Sequence, residues 1–428
     1  MNMKIALLNP PSPFLLEQKA FAPLGLLYLS SALKSQGFKV EVIDLADKEN
    51  EIEKAVEDID AQLVGLSATT PQYPWANRIK QALKKRDPQT KVIIGGAHPS
   101  SVPEVCTGDG YDSVVIGEGE DSVLRIAREL QKTGKISSNV VKSEYIKDID
   151  TIEYPDREAV DIASYGYKLT GGSAFTVITS RGCPYKCAFC SKDVWSNKVR
   201  YHSVEYIIGE IKQIIDKWGI KYFLFLDDSF ALNKKRAERL FAAFRPLNIR
   251  WRCYVRSDHV TKEFLEKMRD AGCIEVGVGV ESASQKILDN VDKGIRIEQH
   301  TQVITWCKQL GITANVFLMI GLPGETYDTV MQTKKWFEEV RPEKFGFNIF
   351  YPYVGTPIYK HRERYDLQFA GLSDEHSWVK GRKEEYQAFV STKELTSRDI
   401  LKLHRELFEY FIELTGWRKD WEGKNKNG

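Results

Sequence analysis

No stretch of the 428-residue sequence approaches the roughly 20 consecutive apolar residues that a membrane-spanning helix needs, which points away from a membrane partner. Nor does either charge dominate: 61 Lys and Arg stand against 59 Asp and Glu, a net +2. With the two signs mixed along the chain there is no electrostatic footprint for a nucleic-acid backbone. Only seven cysteines are present, and four of them, Cys106, Cys253, Cys273 and Cys307, are scattered in apolar surroundings without a paired framework. Such thiols pack as small hydrophobes in a reducing compartment, so a cytoplasmic protein is expected. The opening MNMKIALLNPPSP reads as a strand and a Pro-rich turn, not a signal peptide. The rest of the composition is ordinary, 42% hydrophobic and 28% charged, in a chain long enough for two or three domains with real cores.

The other three cysteines are not scattered. Cys183-Pro-Tyr-Lys-Cys187-Ala-Phe-Cys190 follows an apolar strand-like run, Phe175 to Thr179, and sets three thiolates at the mouth of a strand. Soft thiolates select iron-sulfur clusters or zinc. A cubane held by only three of them keeps one iron open for a substrate or cofactor, whereas structural zinc closes a set of four ligands. The alternatives are a zinc site completed by a distant residue such as His202 or Cys253, and three cysteines that are simply buried.

From Lys4 to about Lys132, β-rich runs alternate with amphipathic helices: KIALL, KVEVID, LVGLS, KVIIGG and SVVIG, with helices around Leu24 to Lys34 and Tyr73 to Lys84. This βα repeat predicts a doubly wound, Rossmann-like parallel sheet of about five strands over residues 1–134. Such sheets bind ligands at the carboxyl ends of their strands. Four small or Gly-rich loops fall there, and they supply the candidate cofactor residues Pro10; Ser67, Thr69 and Thr70; Gly95, Gly96 and His98; and Gly117, Glu118 and Gly119. Each loop taken singly also reads as an ordinary βα turn.

Residues 135–174 lack periodicity and read as a linker. From Phe175 six strand-like runs follow, FTVITS, KYFLFLDD, RWRCYVR, IEVGVGVE, TANVFLMIG and KFGFNIFY, predicting a partial (β/α)6 TIM-type barrel over 175–358 with function at the carboxyl ends. The helix from Ser203 to Trp218 carries an apolar stripe at helical spacing and should cover the barrel. Residues 359–428 read as a mostly helical C-terminal region, with a cap helix from Ser397 to Thr415 and a disordered GKNKNG tail.

The CxxxCxxC spacing, with Phe189 in its aromatic slot, resembles the signature of radical S-adenosylmethionine (SAM) enzymes. The APLGLLYLSSAL helix, the GG-x-HP turn and the GEGE turn further resemble the cobalamin-dependent branch. The resemblance implies a 4Fe-4S cluster on Cys183, Cys187 and Cys190, whose open iron is chelated by SAM, and cobalamin in the N-terminal domain. The Asp-x-His-x-x-Gly motif that supplies histidine to cobalt in some cobalamin proteins is absent, and His98, the only histidine of that domain, reads as a turn or supporting residue.

By the same resemblance, polar residues at the barrel strand ends face SAM. Asp228, in the Asp-Asp-Ser-Phe that replaces the Gly-Gly-Glu of many members, would meet the ammonium or orient substrate. Arg256 would make a bidentate contact to the methionine carboxylate, Glu281 and Ser282 would face the ribose or carboxylate, and the turn holding Gly321 and Pro323 would pack on adenine. For Arg256 and Asp228 the alternative is a structural salt-bridge ring at the barrel rim. The PYVGTP turn would border the cavity between cobalamin and cluster. The implied reaction is methyl transfer to an unactivated carbon of a small molecule, through a 5′-deoxyadenosyl radical and methylcobalamin, with a reductant such as flavodoxin or ferredoxin. Rearrangement, ring contraction or cyclisation without methyl transfer is the second enzymatic reading, and a non-catalytic metal-binding redox sensor is the third. Transfer RNA methylthiolation is set aside, because it would want three more cysteines where the N-terminal domain has only Cys106.

Overall fold

The computed structural model describes residues 3–15, 17–369 and 386–416; the GKNKNG tail lies outside them. The first sheet has the order β2-β1-β3-β4-β5-β6, with β1 (Lys4–Asn9), β2 (Lys39–Asp44), β3 (Leu63–Ser67), β4 (Lys91–Gly95), β5 (Ser113–Ile116) and β6 (Val140–Lys142). Every pairing is parallel. Alternation along each strand feeds two cores. Leu7, Ile93 and Val115 face the helices Leu24–Lys34 and Glu120–Thr133, while Leu8, Val64, Leu66, Ile94 and Val114 face the helix Tyr73–Arg86. The strand order reverses between β1 and β3, the switch point where loops diverge and leave a crevice. The sheet has six strands, not about five: β6 comes from the segment expected to be a linker, too short and too exposed for its sequence pattern to declare it.

The second sheet runs β15-β14-β13-β12-β11-β8-β7. Its parallel strands, in chain order, are β8 (Gly172–Val177), β11 (Tyr222–Phe225), β12 (Arg250–Val255), β13 (Cys273–Glu281), β14 (Thr313–Ile320) and β15 (Lys344–Ile349), with β7 (Lys168–Leu169) antiparallel at one edge. Period-2 alternation again sorts the side chains. Phe223, Phe225, Trp251, Cys253, Val276, Val278 and Val316 face outward under the helices, including Val204–Trp218, where Ile207, Ile211 and Ile214 are fully buried. Ser203, Asn233, Thr261 and Thr326 cap helices of this layer through their side chains. The helix Ser397–Thr415 joins the same layer, stacking Phe411 on Phe337 and resting against β15.

Inside the half-barrel, charge sits at the amino end. Glu275 accepts from Arg252 (3.0 Å), Lys344 (2.6 Å) and Asn315 (3.3 Å), and Arg252 also reaches the Tyr167 hydroxyl at 2.5 Å. Mutual neutralisation lets these groups stay buried. The network closes that end of the half-barrel and leaves the carboxyl end of the strands for function.

Candidate functional site: two cavities joined by the cysteine loop

Two short strands, β9 (Ser180–Arg181) and β10 (Arg200–Tyr201), pair antiparallel and close the stem of the loop that carries the cysteines. Gly182 starts it with φ +95°, and a Cβ there would lie 2.4 Å from the Lys198 carbonyl, so only glycine fits. The approach to the stem is held by Asp227. Its buried carboxylate accepts four hydrogen bonds, from the Thr179 N–H (2.6 Å) and Oγ1 (2.6 Å) and the Ser180 N–H (3.2 Å) and Oγ (2.7 Å). Further along, the Ala188 N–H donates to the Val291 carbonyl and the Ile358 N–H to the Ala188 carbonyl, fastening the loop to the barrel and to the end of the PYVGTP turn.

Cys187 is 8% exposed, and Cys183 and Cys190 are half-buried. Burial raises the Cys183 pKa and pushes that of Cys190 up to about 12, so these thiols ionise only with a cation to compensate them. The fourth ligands of the zinc alternative are committed elsewhere. Cys253 faces the outer core, and His202 is fully buried, 3.0 Å from Asp150 and stacked on Tyr206. Among the described residues, no group of three or more His, Cys, Asp or Glu is arranged to hold a single metal ion.

A cavity of about 380 Å³ opens beside the cysteines at the carboxyl end of the barrel, lined by Asp227, Asp228, Tyr254, Arg256, Gly279, Glu281, Lys293 and Phe317 among others. Asp228 is exposed into it and makes no hydrogen bond or ion pair among the described residues. Desolvation, then the neighbouring Asp227, raises its pKa. Here is a carboxylate prepared for a cationic ligand.

Arg256 differs from expectation. Its Nε and Nη2 are taken by Asp258 at 3.1 Å each, Nη2 also donates to the Lys293 carbonyl, and Nη1 lies 3.8 Å from Cys187 Sγ. The guanidinium stacks 3.4 Å over the Tyr185 ring, whose hydroxyl meets His259. The fork expected to clasp a methionine carboxylate is thus occupied by a nearby aspartate, and the free edge addresses a sulfur. The cation that sequence reasoning missed is Lys293, buried and paired with Glu281 at 2.7 Å, its Nζ 5.6 Å from the Phe189 ring centroid.

Ser282 is also a correction. A register shift between Gly279 and Glu281, with Glu281 at φ +66°, turns its side chain away from the cavity and toward Thr333, while its Oγ accepts from the Ser284 N–H. Gly321 and Pro323 do not line this cavity either. The Gly321 and Leu322 N–H groups donate to the buried Glu325 carboxylate at 2.6 and 3.2 Å, and Pro323 borders an outer crevice with Asn290 and Gly324.

Two predictions arise here. Asp227→Ala removes the acceptor of four buried hydrogen bonds and lowers unfolding free energy by about 3 kcal/mol, whereas Asp228→Ala stays within about 0.5 kcal/mol of the parent; urea titration of both variants checks the contrast. Glu325 is pushed by burial from 4.5 up to about 8, so folding favours its protonated form. Stability from this group is full below the unfolded value and falls as pH rises toward 8. In Glu325→Gln, urea midpoints measured between those limits lose that decline.

The second cavity, about 240 Å³ and mainly apolar, lies over the first sheet at the switch point. Gly65, Ser67, Gly95, Gly96, Gly117, Glu118 and Gly119 line it, with Gly25 and Tyr28 from the Leu24–Lys34 helix. Val194 and Trp195, from the cysteine loop itself, complete the lining. A Cβ on Gly65 would press on Leu7 and one on Gly119 on Leu29, each at 2.9 Å, so the slot exists because side chains are missing. Gly65 was missed in the sequence, although a glycine inside the LVGLS strand is the ordinary signal of close backbone approach.

Pro10, Thr69, Thr70 and His98 do not line this slot. Gln72 donates to the Pro10 carbonyl and accepts from Thr69, while His98, fully buried, meets Thr70 at 3.2 Å and packs on Tyr73. They brace the loops from behind. Glu118, although at the edge of the slot, spends its carboxylate on Arg181 (2.6 Å) and Arg200 (2.5 Å).

Comparison with known proteins agrees with this two-part geometry. The B12 binding domain model matches residues 19–127, and the radical SAM superfamily model matches 177–337. An uncharacterized methyltransferase of Pyrococcus horikoshii is 30% identical over 434 residues, covering 96% of this chain and 92% of the relative. The chain belongs to the cobalamin-dependent radical SAM family. As a member it is an enzyme. It is also similar to an anaerobic magnesium-protoporphyrin IX monomethyl ester cyclase of Cereibacter sphaeroides, at 23% identity over 80% of this chain and 60% of that one. Its fold resembles that of the radical SAM methyltransferase TsrM from Kitasatospora setae, solved with cobalamin and a 4Fe-4S cluster bound. The TM-score is 0.72 at 18% identity, covering 95% of this chain and 91% of that one. Among the described residues no helix is long and apolar enough to cross a membrane.

Proposed function

We propose that this enzyme transfers a methyl group to an unactivated carbon of a small molecule, of a natural-product or cofactor pathway, using a 4Fe-4S cluster, SAM and cobalamin. The observation that carries the reading is the shared loop: residues 182–199 bear the three cysteines at one end and wall the glycine-lined slot at the other. The same loop thus touches both cavities, through Val194 and Trp195 in the slot and through Cys187, 3.8 Å from Arg256 of the other cavity, which is the kind of proximity two reacting groups require. When bound, the cluster and SAM supply hydrogen abstraction from carbon and cobalamin supplies a methyl carrier. The 30% identical methyltransferase relative supports the outcome.

The chain's residues fall into distinct roles. Residues 1–134 provide the cobalamin cradle and 175–358 the radical chemistry. Cys183, Cys187 and Cys190 hold the cluster, with the Arg256 N–H against the Cys187 sulfur to stabilise its negative charge. Asp228 accepts from the SAM ammonium or from a cationic substrate group. Lys293, held by Glu281, offers positive charge to a carboxylate. Val194 and Trp195 keep water out of the slot. A soluble low-potential donor such as flavodoxin or ferredoxin supplies electrons, in the reducing cytoplasm that suits unpaired thiols.

The cyclase relative favours a second reading, ring closure without methyl transfer. Incubation of candidate substrates with SAM carrying a deuterated methyl group separates the two. Label in the product supports methylation, and a rearranged product without label assigns the enzyme to the cyclising group.

A further inference from the structure

We propose that the cluster site and the cobalamin slot are thermodynamically coupled, and that a buried arginine–glutamate clamp at the stem of the cysteine loop carries the coupling. The proposal rests on the cobalamin reading above. Arg181 and Arg200 are direct partners across the β9/β10 stem, and both bind Glu118, at 2.6 and 2.5 Å. Arg181 also takes Glu120 at 2.7 Å. Side-chain exposures of 3% for Arg181, 5% for Arg200 and Glu118, and 10% for Glu120 put all four out of water, where such contacts are strong and directional.

The acidic partners flank Gly119 in the loop that edges the slot, and Arg181 precedes Cys183 by two residues. The Arg181 guanidinium lies 5.2 Å from the Tyr28 ring centroid and 5.8 Å from that of Trp195, both slot residues. Its Nε is buried with no hydrogen-bond partner, leaving a donor at the slot wall for a polar group of the ligand. A second tie lies further along the loop, where Ser101 Oγ donates to Asp193 at 2.7 Å. Loop 182–199 is therefore fastened to the first domain at its stem and near Trp195, and to the cluster by its cysteines.

Any ligand filling the slot restrains Val194, Trp195 and the stem, and a cluster restrains the same loop from its other end. Whichever group binds first bears the ordering cost, and the second binds tighter. Linkage makes the effect reciprocal, with a factor of about tenfold typical of coupled sites.

The test measures hydroxocobalamin affinity by anaerobic equilibrium dialysis, on protein without and with a reconstituted cluster. It uses wild type, Glu118→Gln, Glu120→Gln and the double variant, which together remove the three ion pairs of the clamp, each checked for folding by circular dichroism. Reconstitution is expected to tighten wild-type binding about tenfold, and the double variant to bind with that factor reduced to about twofold or less. Equal affinity with and without cluster in the wild type overturns the coupling, and so does an undiminished factor in the double variant. Absence of binding in both wild-type forms instead overturns the cobalamin reading on which the coupling rests. Hydrogen exchange of loop 182–199 in cluster-free wild type gives a second readout needing no variant: protection gained on adding hydroxocobalamin supports the coupling, and unchanged exchange overturns it.

Discussion

Gly65→Val lowers hydroxocobalamin affinity by about 10- to 100-fold, and leaves 5′-deoxyadenosine release from SAM within about twofold of wild type. Gly65 lies in mid-strand, in register with Leu7 on β1 and Ile93 on β4, and all three line the slot. Its backbone is outside the left-handed region, so a β-branched residue suits the strand itself. The new Cβ comes within 2.9 Å of the Cδ2 end of the Leu7 side chain and makes an ordinary contact with Ile93 Cγ1 at 3.9 Å, with no backbone in its way. The added methyl groups occupy part of a 240 Å³ space, and overpacking of that kind costs about 1–3 kcal/mol when a ligand must share it. The cluster cavity, on the other sheet, is untouched. Unchanged affinity would move the cofactor out of this slot.

Cys187→Ala abolishes the iron-sulfur absorption of the anaerobically reconstituted protein and all reductive SAM cleavage. Three thiolates are the minimum that holds a cubane with one open iron, and Cys187 is the most buried of the three, with the Arg256 guanidinium against it. Cys253→Ala is the matched control. That thiol is fully buried among Trp251, Val276 and other outer-core residues, so its loss costs about 1 kcal/mol of stability and leaves iron content and cleavage intact. A Cys187→Ala protein that retains both would place the chemistry at another centre.

The two sheets were legible because a buried parallel strand has to be a run of Val, Ile, Leu and Phe, and KVIIG and IEVGVGV can hardly be anything else. The cysteine triad was legible because ligand spacing is local. Partners separated by many residues were not. Nothing local in Glu118 announces Arg181 and Arg200, which reach it only through the pairing of β9 with β10 and the docking of the cysteine loop on the first domain. Lys293 lies in a plain turn and gains its place beside Phe189 and Glu281 from the barrel's curvature. Ser282 was carried over with Glu281 from the family resemblance, and nothing in the sequence announces the register shift between Gly279 and Glu281 beyond which Ser282 meets Thr333 instead. Arg256 could have been read better: an aspartate two residues on, in Arg-Ser-Asp, was at hand to take the guanidinium fork.

The most direct check is paramagnetic resonance on the reduced, anaerobically reconstituted wild-type protein, recorded before and after SAM is added. A vacant iron predicts a 4Fe-4S signal that shifts when SAM coordinates it, with 5′-deoxyadenosine appearing on continued reduction. A spectrum indifferent to SAM, or stoichiometric zinc in place of iron, would contradict the account.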